Sequence, residues 1–282
     1  MPERLRWLGQ GPKVLFLPGW NTPSDYLGQA IPGWFLDSWH CALLEWPGMG
    51  RRRTEPPPAA MDGMLAEITC AMQDHAFAGS VGFCLGGVAA WEHARRTQAG
   101  HPMLVMVESP YHFPAVLAPV LLPGIGAWLF RGFTREPRGR AWIERMLFRK
   151  GAAVPPGFWD AFGGTPPATA QAFLRILKQY ERHLPARPDQ PQCSCHRITG
   201  QQSPRHLARA WGHRHAIQAV EHLMPGVGHF PAAEAPEAFF RLLAEQLASA
   251  KDVPAGGPAR GSQANGLKKQ HDPHGDSGRR GI

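Results

Sequence analysis

The segment around Cys84 constrains the fold of this chain more than any other part of the sequence. Residues 80–83, Ser-Val-Gly-Phe, form a short apolar run typical of a buried strand, and Cys84 follows it directly. Leu85-Gly86-Gly87 then leads into residues 88–94, whose pattern is compatible with a helix. This G-x-C-x-G-G spacing between a strand and a helix predicts a sharp turn that presents Cys84 as a candidate nucleophile. Without that context, a cysteine in a small-residue turn is more often a buried structural residue.

The regions on either side of this turn alternate between apolar runs and helix-compatible segments. The apolar runs predict buried strands at residues 14–17, 41–46 and 103–107, and weaker strands at 195–200 and 216–220. Helices are predicted at residues 61–75 and, at the end of the pattern, at 236–248. Strands that alternate with helices are typical of a mostly parallel sheet flanked by helices, so the predicted fold class is α/β.

The alternation is interrupted between residues 111 and 185. This stretch is rich in Trp, Phe, Pro and Leu, and it has helical pieces at 140–148 and 168–182. We interpret 111–185 as a helical cap inserted into a core whose two parts are residues 1–110 and 186–250. The cap aromatics would suit an acyl chain, although each is also a candidate for ordinary core packing.

The basic residues of the chain are dispersed, and several of them lie in a C-terminal stretch with few apolar residues. Apolar residues nearly vanish from 251 to 282, which predicts a disordered tail. The formal net charge is +8, with basic residues dispersed over 51–53, 131–150 and that tail. Nucleic-acid-binding proteins usually concentrate Lys and Arg on one recognisable module, so no nucleic-acid partner is expected. The basic surface is either simply solvated or attracts an acidic partner such as a carrier protein.

Cysteine usage and the N-terminus indicate a reducing compartment. The five cysteines, an odd number, lack the spacing of a secreted disulfide framework. We find no signal sequence, and the apolar stretch 115–130 is too short to span a bilayer, so we expect a cytoplasmic protein without a membrane span. Cys193 and Cys195 lie near His196 and His206, but a second spaced pair is lacking, so no metal and no cofactor are expected.

The turn at Cys84 and two further segments resemble the α/β-hydrolase superfamily. Residues 224–230, Met-Pro-Gly-Val-Gly-His-Phe, are similar to the family's catalytic-histidine loop, and a terminal helix follows at 236. Residues 44–51, Leu-Glu-Trp-Pro-Gly-Met-Gly-Arg, resemble a segment that is structural in the family. The resemblance implies an α/β-hydrolase fold in which Cys84 replaces the commoner serine nucleophile and His229 is the base.

The family resemblance also implies an oxyanion hole. Residues 15–20, Leu-Phe-Leu-Pro-Gly-Trp, match the segment that usually reads His-Gly after an early strand, with Pro18 in place of the His. The backbone N–H groups of Trp20 and Leu85 are therefore the expected pair that stabilises a tetrahedral oxyanion. The alternative is that residues 18–20 form only a turn that ends a strand.

The acid of the expected triad departs from the common family pattern. The family usually places an Asp after the strand that precedes the histidine loop, but this chain reads Gly200-Gln201-Gln202-Ser203 there. Related thioesterase domains and cyclases carry the acid after the strand that follows the nucleophile helix, which here is Glu108. This choice keeps the order nucleophile, acid, histidine. The alternatives are that Glu108 is a surface residue, or that a Cys-His dyad works with Gln202 orienting the ring.

A cysteine nucleophile favours acyl-transfer chemistry. A neighbouring His lowers the pKa of a thiol by forming a thiolate-imidazolium pair, and the acyl enzyme is a thioester close in energy to a pantetheine thioester. The sequence resembles Cys-nucleophile thioesterases, acyltransferases and Dieckmann-type cyclases. We therefore expect an enzyme that takes an acyl group from coenzyme A or an acyl carrier protein, and the resemblance implies a role in secondary metabolism. Simple ester or thioester hydrolysis and a non-catalytic binding scaffold are the alternatives.

Overall fold

The computed structural model describes residues 3–97, 102–110, 112–149, 151–185, 188–203 and 217–251. The expected tail, 251–282, lies outside these residues except for Lys251, which ends the last helix. His206 also lies outside them.

A seven-stranded sheet forms the centre of the described chain. Its strands are Leu5–Leu8 (β1), Lys13–Leu17 (β2), His40–Leu44 (β3), Gly79–Phe83 (β4), Met103–Val107 (β5), Ser194–Gly200 (β6) and Val220–Met224 (β7). The strand order is β1-β3-β2-β4-β5-β6-β7. Only β1 runs antiparallel to its neighbour, and every other pair in the sheet is parallel. The predicted mostly parallel sheet is confirmed.

Helices follow most strands, as the alternation of the sequence predicts. They are Ser24–Gln29 (α1), Gly33–Leu36 (α2), Met61–Met72 (α3), Leu85–Thr97 (α4), Gly126–Arg135 (α5), Pro137–Leu147 (α6), Phe158–Gly164 (α7), Pro167–His183 (α8), Pro231–Glu234 (α9) and Pro236–Lys251 (α10). Two 3-10 helices, Gly50–Arg52 and Ala115–Leu121, also occur among the described residues.

The position predicted for the last strand, residues 216–220, is wrong. The structure places β7 at Val220–Met224, and residues 217–219 precede it as coil. The reason is that β7 is an edge strand with large exposed side chains: Val220 is 54% exposed and Leu223 is 62% exposed. An edge strand has no continuous apolar run to mark it, because one side of its backbone and much of its surface are not covered by the core.

The central strands are apolar on both faces, and this produces two core layers. In β2, Leu15 and Leu17 pack into the layer on one face of the sheet, whereas Val14 and Phe16 pack into the layer on the other face. Successive side chains of a strand point to opposite faces, so a continuous apolar run is required when helices cover both.

A third hydrophobic cluster lies in the region interpreted as the cap. It joins the 3-10 helix Ala115–Leu121 with α5, α6, α7 and α8, and its fully buried members include Phe130, Phe158 and Phe162. Helix α8 also contributes Phe173 and Leu177 to the core layer on the same face of the sheet as Leu15. The aromatic content of this stretch therefore builds a small core of its own.

No single helix among the described residues is long and apolar enough to cross a membrane. The 3-10 helix Ala115–Leu121 and helix α5 meet the length and composition criteria only when taken together, and they are bent by 118° relative to each other.

Candidate active site

Cys84 lies in a tight turn between β4 and α4. Its backbone has φ +47°, in the left-handed region that a non-glycine residue adopts only at a cost. A Cβ added at Gly82 would lie 2.4 Å from the Cα of Gly87, and one at Gly86 would lie 2.3 Å from the backbone oxygen of Leu17. These positions accept no side chain, so the glycines allow the helix to approach the strand closely and hold Cys84 at the end of the sheet.

The carboxyl ends of the parallel strands bring the expected triad residues together. Cys84 follows β4, Glu108 follows β5, and His229 lies in the loop after β7. The Cys84 N–H donates to the carbonyl of Val107 at 2.8 Å, which links the turn to the neighbouring strand. Ligands and substrates of open α/β sheets bind at this edge, so the location suits a catalytic site.

Glu108 is buried and contacts the histidine. Its Oε2 lies 3.1 Å from the Nδ1 of His229, within hydrogen-bond reach for an acid that orients the ring. The Ser203 hydroxyl donates to the same oxygen at 2.7 Å, and the Gly200 N–H donates to Oε1 at 2.5 Å. Both carboxylate oxygens therefore accept hydrogen bonds. Glu108 is only 5% exposed, so the alternative of a surface residue is wrong.

The imidazole of His229 is buried and strongly basic. Burial alone disfavours the imidazolium, but hydrogen bonds to Cys84 and Glu108 and their negative charge outweigh it and raise the pKa of His229 to about 10. Because Nδ1 faces Glu108, the other ring nitrogen is the one available to the thiol. The arrangement stabilises an imidazolium beside the sulfur, as a thiolate-imidazolium pair requires.

Gln202 does not take the place of the acid. Its side chain is exposed, while its backbone N–H donates to the carbonyl of Val227 at 2.9 Å. The described geometry therefore brings Cys84, His229 and Glu108 together and leaves Gln202 on the surface.

Two residues that the sequence analysis did not single out hold this site. Ser203 binds Glu108 from the loop after β6. Glu234, in α9, accepts the N–H of Gly228 at 3.0 Å and the N–H of Phe230 at 3.1 Å, so one carboxylate fixes the residues on both sides of His229. An acidic residue only five positions after His229, directly behind the predicted histidine loop, is the sequence signal that could have indicated this role.

The expected oxyanion loop lies against the nucleophile. A Cβ added at Gly19 would lie 3.0 Å from the Cβ of Cys84, so a larger residue at position 19 would crowd the nucleophile. The Trp20 indole N–H donates to the carbonyl of Ala170 at 3.0 Å, which fixes Trp20 to helix α8. The carbonyl of Pro18 accepts the Trp46 indole N–H at 2.8 Å. Trp20 and Leu85 both line the cavity that contains Cys84, and their role as amide donors to an oxyanion remains a proposal.

Two cavities meet at the triad. The first is lined almost wholly by apolar side chains, namely Trp20, Leu85, Pro110, Pro114, Leu117, Met146, Leu147, Phe173, Leu174 and Leu177, together with Cys84 and His229. The second is lined by Gly19, Thr22, Phe83, Val107, Glu108, Phe162 and Phe230. Both cavities are also lined by Trp20, Cys84, Leu147 and His229. Cys84 thus belongs to the wall of each cavity.

No cluster of three or more His, Cys, Asp or Glu side chains that could hold a metal occurs in the described ranges. Cys193 and Cys195 lie with their sulfurs 3.8 Å apart, and His196 pairs with His222 at 3.0 Å between ring nitrogens.

Comparison with known proteins agrees with this architecture. The sequence profile described as the alpha/beta hydrolase family matches residues 14–242, and the chain therefore belongs to that family. No curated protein sequence matches the chain.

Several solved structures are similar to this chain. An esterase from Thermogutta terrifontis has a TM-score of 0.64 at 18% identity, covering 87% of this chain and 93% of the esterase. A putative non-heme bromoperoxidase from Mycobacterium tuberculosis has a TM-score of 0.66 at 16% identity, covering 89% of this chain and 97% of the other. An enol-lactonase from Burkholderia xenovorans has a TM-score of 0.64 at 14% identity, covering 86% and 95%. At these identities the likeness shows the fold, and the family is one of enzymes.

Proposed function

We propose that this protein takes an acyl thioester onto Cys84 and passes the acyl group to a second nucleophile, either within the acyl chain or on another molecule. The observation that carries the proposal is the contact of His229 with both a cysteine sulfur and a buried carboxylate at the junction of two cavities. His229 is placed to accept the proton of Cys84, and the sulfur so activated attacks the substrate carbonyl.

The proposed first half-reaction loads the enzyme. The Cys84 thiolate attacks the substrate carbonyl carbon, and the resulting oxyanion is stabilised by the N–H groups of Trp20 and Leu85. Collapse of this intermediate breaks the bond to the pantetheine sulfur, and the His229 imidazolium gives its proton to that leaving thiolate. Glu108 stabilises the imidazolium and keeps the ring oriented throughout.

The second half-reaction releases the acyl group. The neutral His229 accepts a proton from the acceptor as the acceptor attacks the Cys84 thioester, and the Cys84 thiolate leaves. The proton gained in this step regenerates the imidazolium, so the enzyme ends in its starting state. An acceptor on carbon, nitrogen or oxygen satisfies the same proton balance.

The two cavities are compatible with a donor and a separate acceptor at one nucleophile. The first is apolar and suits an acyl chain, and the second is also lined by Cys84 and His229, so we assign the acceptor to it. An acyl chain bound in the first cavity, together with the apolar side chains that line it, would exclude water from part of the site around Cys84. We propose coenzyme A or an acyl carrier protein as the donor, because a thioester-to-thioester exchange is nearly thermoneutral.

Hydrolysis is the second candidate function. It uses the same residues with water as acceptor, and the similar solved structures include an esterase and an enol-lactonase. A non-catalytic scaffold is disfavoured by the convergence of three reactive groups on one buried contact network. For the compartment we propose the cytoplasm, since all five cysteines are free thiols and a thiolate nucleophile requires reducing conditions.

Mass spectrometry of the intact protein tests the proposal. The chain is mixed with a panel of acyl coenzyme A thioesters, with and without a set of amine, alcohol and carbon-nucleophile acceptors, and the mass gain of the protein and the released products are followed together. We expect a mass gain equal to the acyl group that Cys84→Ala abolishes, and a product that retains the acyl group on an amine, alcohol or carbon acceptor. A free acid as the only product would replace transfer by hydrolysis, and no mass gain with any thioester would overturn the acyl-enzyme itself.

A further inference from the structure

The cap carries an exposed apolar ridge, formed by Val116, Leu122, Ile125 and Trp128. These side chains are 41%, 46%, 54% and 71% exposed, and they make up four of the seven large hydrophobic side chains that are exposed in the described part of the chain. All four come from one stretch, the 3-10 helix Ala115–Leu121, the start of α5 and the turn between them. Exposed apolar patches concentrated in this way mark contact surfaces for proteins or membranes.

The exposed face of α5 changes from apolar to basic along its length. Trp128, Arg131 and Arg135 are all exposed and are spaced by three or four residues, so they lie along one side of α5, and the exposed Ile125 directly precedes the helix. Arg138, at the start of α6, is also exposed. None of these three arginines has a carboxylate partner within the described residues. Residues 115–135 contain no Asp or Glu at all, and Glu136 is the first acid after them.

We propose that the apolar ridge and these arginines bind the cap to the surface of a membrane that contains anionic lipids. Helices that lie in a membrane interface combine Trp and aliphatic side chains with Arg or Lys beside them, which is the composition of this face. Each basic residue near an anionic lipid surface adds attraction that salt screens. An acidic protein surface would pair with the arginines but would place the four apolar side chains against charged groups. A lipid surface accommodates both parts of the face.

The position of the ridge connects this surface to the candidate site. Val116 is exposed, while its neighbour Leu117, in the same 3-10 helix, lines the apolar cavity beside Cys84. Binding of this helix to a membrane would hold the cavity next to the phase in which long acyl chains and their thioesters accumulate. The membrane contact does not depend on catalysis, so it is tested without any turnover.

Vesicle sedimentation tests the proposal with the full chain. Vesicles of phosphatidylcholine alone are compared with vesicles in which one quarter of the lipid is phosphatidylglycerol, each at low and high salt. We expect binding to the anionic vesicles that weakens as salt increases. The double variant Ile125→Ser/Trp128→Ser should bind at least about tenfold more weakly, because two apolar side chains no longer enter the lipid. Replacing Arg131 and Arg135 by Gln should lower the affinity for anionic vesicles roughly fivefold for each charge removed.

Trp34→Ser serves as the matched control, since it removes a partly exposed tryptophan from α2 of the core, at 37% exposure. It should bind vesicles like the parent chain, and circular dichroism should show all variants folded. The Cys84→Ala chain should also bind normally, which separates this proposal from the proposed acyl enzyme. No binding to anionic vesicles, or an equal loss in Trp34→Ser, overturns the proposal. Ridge-dependent binding to an immobilised acidic acyl carrier protein in the absence of vesicle binding would also overturn it, in favour of a protein partner.

Discussion

Two buried histidines, one in a loop at the end of the sheet and one within a strand, have pKa values shifted in opposite directions. His229, at the carboxyl ends of the strands, is 6% exposed, and His196, near the start of β6, is 7% exposed. For both, burial opposes the charged ring. Hydrogen bonds to Cys84 and Glu108 nevertheless raise the pKa of His229 to about 10, whereas burial and the neighbouring His222 lower the pKa of His196 to about 4.

Burial lowers the pKa of both rings, and only the partners of His229 reverse that effect. His229 faces a carboxylate and a sulfur that gain from a positive ring, while His196 faces another imidazole and the hydroxyl of Ser194. Neutral imidazoles can share one hydrogen bond as donor and acceptor, but two imidazolium rings would place N–H against N–H. One site is therefore suited to hold a charge during chemistry, and the other to stay neutral.

Removal of the sulfur partner should have the largest effect on activity. In Cys84→Ala we expect turnover to fall by at least about 10⁴-fold and labelling by thiol-directed acyl analogues to disappear, since no other group replaces the nucleophile. Steady-state rates and mass spectrometry give the two readouts.

The matched control for this change is Cys193→Ala, which removes a half-buried thiol at the other end of the sheet. Its rate and labelling should equal those of the parent chain. Full activity in Cys84→Ala would remove the basis for treating the Cys84–His229 contact as catalytic.

Removal of the acid partner should have the next largest effect. Glu108→Gln keeps the shape of the side chain but removes the charge that supports the His229 imidazolium, so we expect a loss of roughly 10- to 1000-fold in kcat. The loss is smaller than for a serine enzyme because a thiolate requires less help. The pKa of His229 should also move down from about 10, so that the decline of activity at high pH begins earlier.

Glu92→Gln is the control for loss of a buried carboxylate. Glu92 is 1% exposed and binds Arg95, Arg96 and Tyr180, all away from the triad, so its replacement should lower stability without moving the pH profile. An unchanged rate and an unchanged profile in Glu108→Gln would contradict the assigned role of Glu108 and favour a Cys-His dyad.

The fold was predictable because its central elements are strongly patterned. Buried parallel strands read as continuous apolar runs, and the tight turn at Cys84 requires glycines at fixed positions. The edge strands were less visible: β1 is half-buried along its whole length, and most of β7 is exposed, so neither has an apolar run. In the candidate site, strand ends brought Glu108 to His229 as expected. The donors and acceptors around them, such as Ser203, depend on loop paths that no local pattern encodes.

Glu234→Gln tests whether the histidine loop must be fixed from both sides. The carboxylate of Glu234 now accepts hydrogen bonds from two backbone N–H groups beside His229. In the variant, the NH2 of the amide would face one of these N–H groups, so one hydrogen bond would be lost. An unsatisfied hydrogen bond of this kind costs about 1–2 kcal/mol, so we expect kcat to fall roughly 3- to 30-fold with little change in KM.

Glu237→Gln, in the first turn of α10, is the control and should keep the parent rate. If Glu234→Gln changes only the melting temperature and leaves kcat and the pH profile intact, Glu234 is structural and does not position His229.

The smallest expected effect lies at the other histidine and concerns stability alone. Between pH 6.5 and about 4, His196 binds a proton in the unfolded chain but not in the folded one, so the free energy of unfolding should decrease as pH falls through this window. His196→Gln keeps a hydrogen-bonding group but does not titrate. We expect about 1 kcal/mol lower stability at pH 7 and a flatter dependence on pH below 6.5.

Denaturant unfolding at several pH values measures both quantities. The control is His183→Gln, which changes an exposed histidine and should leave the dependence of the unfolding free energy on pH as in the parent chain. Activity at neutral pH should also be unchanged, because His196 lies near the start of β6, away from the carboxyl end of the sheet where the triad lies. An unaltered slope in His196→Gln would mean that its neutral state contributes nothing to acid sensitivity, and the contrast with His229 would then apply to protonation but not to stability.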